Sequence, residues 1–251
     1  MKILISPAKS LNETQAYPEV TPTMPLFLNK AQSIHKVLKK MKPAQLSELM
    51  DISPKLAELN WQRNQAWQLE DHTQGRPALF TFDGDVYDGL DAYTLDASHY
   101  DRAQHDLRML SGLYGWLRPF DQMLPYRLEM GCGLTVGQKP NLYAFWQPIL
   151  TKQLQSECAE GEPIVQLASQ EYAHAIDWKK IKQPVIVPEF RDMKNGELKI
   201  ISFFAKKARG LMTRYILDHG IEQLDDLKGF TAEGYAFQAS LSTDRKWVFT
   251  R

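Results

Sequence analysis

Three carboxylates, Asp83, Asp85 and Asp88, stand with Gly84 and Gly89 in one short stretch, a density of oxygen ligands that could hold a divalent cation for metal-assisted hydrolysis. The spacing departs from a calcium-binding loop, because the third acid is displaced by one residue and Thr94 stands where a bidentate glutamate closes such a loop. Aspartate and glycine favour turns for local reasons, and a turn is what this stretch supports. Asp101 with His105, and Glu171 with His174, have helical spacings suited to a metal pair or an acid–base pair, but neither pair has a third ligand at helical or strand spacing. Cys132 and Cys158 lack partners at C-x-x-C or C-x-x-H spacing, so both read as free thiols, and neither a zinc site nor any other metal or cofactor is expected. No nucleophile elbow or dinucleotide fingerprint occurs, and the glycines that cradle phosphate are missing before Lys9-Ser10.

Cations are the other candidates for chemistry. Lys206, Lys207, Arg209 and Arg214 fall on one side of a helix expected from Ala205 to about His219, with Ala208, Leu211, Met212 and Tyr215 on the other. No acid interrupts residues 198–217, so this face can lie against a sugar–phosphate backbone or be a solvated amphipathic surface. Arg108, Arg118 and Arg127 are interleaved with Tyr114, Trp116 and Tyr126, a composition suited to phosphate pairing and base stacking. The same run carries Leu107, Met109, Leu110, Leu113 and Leu117, which demand burial. Lys9, in the loop after the first strand, can join a cationic cleft.

Residues 43–60 could bind phosphate through backbone groups. Pro43 suits a first helical position, Leu46, Leu49 and Met50 form an apolar stripe, and the helix breaks at Asp51. Ser53 and Pro54 then restart a helix as N-cap and first turn, with Leu56, Ala57 and Leu59 as its apolar set. The segment resembles a helix-hairpin-helix, with Ile52 as the hydrophobic residue of the turn. Asp51 and Ser53 replace the usual glycines, and Asp51 opposes phosphate. In such a motif the unpaired N–H groups at the second helix's start hold a phosphate without reading a base, and here Lys55 adds charge.

The elements that must position these groups are those of an α/β protein. A chain of 251 residues with 43% hydrophobic and 24% charged residues is an ordinary globular composition, long enough for one large core. The apolar runs Ile3-Leu4-Ile5 and Val185-Ile186-Val187 are far shorter than the ~20 residues of a membrane-spanning helix, and no signal-peptide core follows Lys2, so a cytoplasmic chain is expected. Thirty basic residues against 30 acidic ones leave no net charge, so attraction for phosphate has to come from local clusters.

Phe27, Ala31, Ile34, Leu38 and Met41 recur at helical spacing over 26–41. A long polar helix is expected through Trp61 and Trp67 after the hairpin. Strands are expected over 2–6, 78–82, 164–167, 185–190, 198–204, 235–237 and 247–249, with a hairpin turn at Asn195-Gly196. Helices and strands alternate without a regular βαβ rhythm. This predicts a single mixed α+β domain in which helices wrap a curved mixed sheet.

Four stretches together resemble the YaaA peroxide-stress family: Ser6–Leu11, Gly84–Tyr87, Leu107–Gly131 and Ile200–Met212. The resemblance spans essentially the whole chain, in the family's order. It implies protection against hydrogen peroxide, limitation of free iron, and DNA binding through a helix-hairpin-helix in an unusual fold. Because the candidate groups address phosphates and no recognition helix for the major groove is apparent, the expected partner is duplex DNA held with little sequence preference, with no membrane and no obligate protein partner. Ser53, Lys55, Lys9, Arg108, Arg118, Arg127, Lys206, Lys207, Arg209 and Arg214 are the candidate contacts. A competing expectation is an enzyme acting on nucleic acid or a nucleotide, with Lys9 or the Asp83–Asp88 turn in a cationic cleft.

Overall fold

The computed structural model describes residues 1–251. Its main sheet has eight strands: β1 (Lys2–Ile5), β2 (Leu107–Ser111), β3 (Gly115–Leu117), β4 (Ile164–Gln166), β5 (Val185–Lys194), β6 (Glu197–Lys199), β7 (Ala236–Phe237) and β8 (Lys246–Thr250). The order across the sheet is β7-β8-β5-β4-β1-β2-β3, with β6 paired to β5. The five central strands are parallel, whereas β3, β6 and β7 run antiparallel to their neighbours. Parallel strands covered on both faces are buried along their length, and every residue of β1, β2 and β4 is buried, including the polar Lys2, Arg108, Ser111 and Gln166 among their apolar neighbours.

Nine helices flank the sheet: α1 (Leu28–Leu38), α2 (Pro43–Met50), α3 (Pro54–Ala66), α4 (Ala78–Thr81), α5 (Asp85–Leu90), α6 (Tyr100–Asp106), α7 (Leu142–Glu157), α8 (Gln170–Ala173) and α9 (Ser202–Asp218). A continuous cluster of 61 buried residues joins helices and sheet into one core, so this is a single mixed α/β domain. No helix is long and apolar enough to cross a membrane.

The expected β5–β6 hairpin forms across Asn195 and Gly196, both with positive φ (54° and 79°), as a primed two-residue turn requires. Three expectations need correction. Residues 78–81 are a buried helical turn, since four apolar or small residues are too few for periodicity to separate helix from strand. The strand expected over 198–204 stops at Lys199, and α9 begins at Ser202. The polar helix through Trp61 is the continuation of α3, which ends before Trp67. The run 107–117 is buried, as its leucines demand, and forms the β2–β3 hairpin. Gly115 has φ +72°, and a Cβ there would lie 2.5 Å from the Trp146 ring.

Helix α3 also turns a different face inward from the one its leucines suggest. Ala57, Asn60 and Asn64 are buried, while Leu56 and Leu59 are exposed. Asn60 can be buried because its side-chain amide donates to the Leu56 carbonyl oxygen at 2.8 Å.

Candidate functional site

The connection leaving β1 runs to β2 on one side of the sheet, while the connection leaving its other neighbour, β4, runs outward to β5. At such a divergence the loops part beyond the carboxyl ends of the strands and leave a crevice, the usual ligand position in open α/β sheets. A cleft of about 460 Å³ lies here, lined by Ser6–Ser10 after β1, Ser169, Glu171 and Tyr172 after β4, Asp83–Tyr87 around the start of α5, and Lys206 and Arg209 of α9.

Local chemistry fixes these walls. The Ser169 N–H donates to Ser6 Oγ at 2.8 Å, joining the two strand ends, and the Tyr87 hydroxyl donates to the Ser6 carbonyl oxygen at 3.1 Å. Ser10 and Leu11 pair with Asp83 and Phe82 in a short antiparallel ladder that holds the Pro7–Lys9 loop against the α5 start. Gly84 has φ 146° and ψ 180°, a conformation open essentially to glycine alone. Helices α5 and α9 meet backbone to backbone: a Cβ on Gly89 would lie 2.1 Å from the Lys207 carbonyl oxygen, and one on Gly210 only 1.8 Å from that of Val86. This contact holds the α9 cations at the cleft.

The cations differ in what they meet. Lys9 Nζ lies 3.3 Å from Glu129 Oε1, which also receives Arg127 at 3.0 Å. Lys206 Nζ is 3.4 Å from Asp85 Oδ2. Arg209 is half-buried, and its guanidinium makes no ion pair or hydrogen bond with the protein; burial pulls its pKa below the ordinary arginine value. Asp83 likewise has an exposed carboxylate with no partner in the chain. Burial pushes the Tyr87 and Tyr172 hydroxyls well above the tyrosine range, so both stay neutral donors or acceptors. Cys132, close behind the Lys9–Glu129 pair, is pushed up to about 11 by burial and by Glu129, which leaves it a thiol at neutral pH.

Of the other arginines, Arg108 is 5% exposed and spends its guanidinium on Glu157 (2.7 Å) and on the carbonyl oxygens of Gln104 and Leu107. Arg118 forks onto Asp121 and donates to the Met24 carbonyl oxygen. Arg214 pairs with Asp218 one turn on in α9 and ties the helix to Asp91 and Thr94 beyond α5. Lys207 pairs with Glu233 at 2.5 Å. Lys9, Lys206 and Arg209 are therefore brought into one cleft, while Arg108, Arg118 and Arg214 act within the fold.

The acids do not assemble around a cation: no three His, Cys, Asp or Glu side chains stand where they could hold a metal ion. His105 Nδ1 faces Asp106 at 2.7 Å, not Asp101, and Glu171 accepts from the Gly131 N–H at 2.9 Å, away from His174. Ser6 and Ser169 escaped the reading of the sequence. Their signal is position alone, directly beyond two apolar strand runs.

Away from the cleft, α2 and α3 form the expected helical hairpin. Asp51 takes the left-handed conformation (φ 49°, ψ 56°), Ile52 is buried beneath the turn, and Ser47 closes it by donating to the Ile52 carbonyl oxygen at 2.5 Å. The Ser53 hydroxyl caps α3 by accepting from the Leu56 N–H at 3.4 Å. The Ser53 and Lys55 N–H groups find no acceptor in the protein, and both side chains are exposed.

The family model described as peroxide stress protein YaaA matches residues 1–241. A UPF0246 protein of Flavobacterium johnsoniae is 56% identical over the full length of both chains. UPF0246 proteins of Hahella chejuensis and Neisseria gonorrhoeae are 47% and 45% identical, over the whole of this chain and 99% and 98% of theirs.

Proposed function

The chain belongs to the YaaA peroxide stress family, and from that premise we propose that it acts in peroxide stress by binding duplex DNA through its phosphates with little sequence preference. The observation that carries this reading is the α2–α3 turn. Asp51 supplies the left-handed backbone that glycine usually provides in a helix-hairpin-helix, and the two free N–H groups beside exposed Lys55 offer a phosphate the start of a helix. Lys9, Lys206, Lys207 and Arg209 supply a second set of cationic contacts. Arg108, Arg118 and Arg214 take no part, because their donors are satisfied inside the fold.

Limitation of free iron is, on this proposal, indirect. The carboxylates nearest the cleft do not converge, Asp85 being engaged by Lys206, and the chain presents no imidazole or thiolate set suited to iron. Protein dialysed against chelator and reloaded with ferrous iron is expected to retain well under one equivalent by elemental analysis. Stoichiometric retention that is lost on Asp83→Asn and Asp85→Asn would reverse this assignment.

DNA binding is tested by fluorescence anisotropy on two labelled duplexes of unrelated sequence. The expected result is equal affinity for both and a linear fall of log K with log salt, of slope about −2 to −4 for the few phosphate contacts available. A flat salt response, or binding to one sequence only, excludes the proposal.

A further inference from the structure

The guanidinium of Arg209 is half-buried with no acid and no hydrogen-bond acceptor from the protein beside it. A cation removed from water without a counter-charge is unfavourable, and folded chains normally pair it, as Arg108 is paired with Glu157. Arg209 instead opens onto the cleft at the divergence of β1 and β4, three residues from Lys206 on the same helix. We propose that this cleft is a binding site for a single nucleotide, its phosphate taken by Arg209 with Lys206 and Lys9. This deepens the cleft half of the preceding proposal and does not depend on the α2–α3 turn, whose residues do not line the cleft.

Size, chemistry and position agree. A volume of about 460 Å³ lies in the range of small-molecule sites, roughly 300–1,000 Å³, so the cleft itself takes a single nucleotide, while a duplex can meet only the exposed Lys9 and Lys206 at its rim. A guanidinium offers a planar fork matched to two phosphate oxygens, and the ammonium of Lys206 adds a point charge beside it. The Ser6 hydroxyl accepts from Ser169 and keeps its own proton free to donate. Across the cleft, the unpartnered Asp83 carboxylate can accept from a sugar hydroxyl or an exocyclic amino group, the role an acid plays at the edge of many nucleotide sites. Gly84, which no other residue replaces without strain, lets the backbone approach closely. The same phosphate chemistry is offered by a free mononucleotide and by the terminal nucleotide of a strand.

The test uses the full chain and three probes: AMP, adenosine, and a short single strand with or without a 5′-phosphate. AMP is expected to raise the thermal midpoint and adenosine to leave it unchanged, with a dissociation constant on the order of 0.1 mM by calorimetry. Arg209→Met removes the charge and keeps the apolar stem. Its midpoint without ligand should rise, because an unpaired cation is no longer buried, while AMP binding weakens tenfold or more. Lys206→Gln, at a more exposed position, keeps the test open if Arg209→Met perturbs folding; it should retain the parent midpoint and weaken AMP several-fold. AMP binding with no competition from the 5′-phosphorylated strand assigns the site to free nucleotides. Competition by the phosphorylated strand and not by its 5′-hydroxyl counterpart assigns it to strand ends. Failure of AMP and of the phosphorylated strand alike at millimolar concentration, or equal binding by the parent and both variants, overturns the proposal whether or not the duplex is bound.

Discussion

His35 and His72 bracket Trp67, and burial holds each of them neutral against carbonyl contacts that would favour the proton. The His35 ring stacks on the indole at 4.3 Å, with Nε2 2.8 Å from the Asn64 carbonyl oxygen. His72 Nδ1 lies 3.1 Å from the carbonyl oxygens of Gln68 and Leu69, so Nδ1 carries the proton and Nε2 can accept from the Tyr114 hydroxyl at 3.0 Å. Burial pulls both imidazoles below the ordinary value of 6.5. As pH falls through about 6.5 the unfolded chain therefore takes up protons before the folded one, and stability declines until the folded imidazoles are themselves protonated. The thermal midpoint should be level above about pH 7 and drop on acidification toward pH 5. His35→Gln, which cannot be protonated there, should make that drop shallower, and identical pH profiles for parent and variant would refute the assignment.

At the scale of elements, the α5–α9 contact decides where the cleft cations stand. Glycine in a helix interior costs about 1 kcal/mol relative to alanine, so Gly89 and Gly210 have to be offset by the close approach they permit. Gly210→Ala drives a methyl into the Val86 carbonyl of a packed helix, and the expected loss is about 1–3 kcal/mol by urea unfolding, together with weaker AMP binding as α9 is displaced. Gly133→Ala, where an added Cβ meets nothing within 4 Å, is the control, and equal stability of the two variants would show that the helices can part at little cost. This pairing also marks where the sequence stops being legible. Helices α1, α2 and α9 and the β5–β6 turn were readable because caps, periodicity and turn residues are local. Helix α7 went unread although Asn141 caps it and Leu142, Trp146, Leu150 and Leu154 recur every four residues, since Pro148 inside it imitates a break. The outward Leu56 and Leu59 misled because composition does not say how a helix is rotated on the core. Lys9, Lys206 and Arg209 could each be named from the sequence. That they share a cleft follows only from the strand order, and that Arg209 alone lacks an acid follows only from packing.

For the whole molecule, equal numbers of acids and bases mean that no long-range field draws DNA in, and any binding has to come from cations left free locally. The α2–α3 turn offers helix-start N–H groups beside the unpaired Lys55, whereas the α9 face offers the free Arg209 together with two ammonium groups that a phosphate has to draw from Asp85 and Glu233. Lys55→Glu places a second acid beside Asp51 where a phosphate would meet the helix start, and Lys206→Glu with Lys207→Glu reverses the charge of the α9 face. Exposed substitutions of this kind usually change stability by only about half a kcal/mol, so both proteins should remain folded by circular dichroism. The α9 variant also breaks the Lys206–Asp85 and Lys207–Glu233 pairs, which at partial exposure are worth little. If the two surfaces grip the same duplex, each variant should weaken binding and flatten the salt slope by about one to two contacts, and the combined variant should show the sum of both losses. If only the turn grips duplex and the cleft serves a single nucleotide, the α9 variant should leave the duplex slope intact while AMP binding is lost. Folded variants that all bind duplex as tightly as the parent, across the full salt titration, would remove both surfaces from DNA recognition.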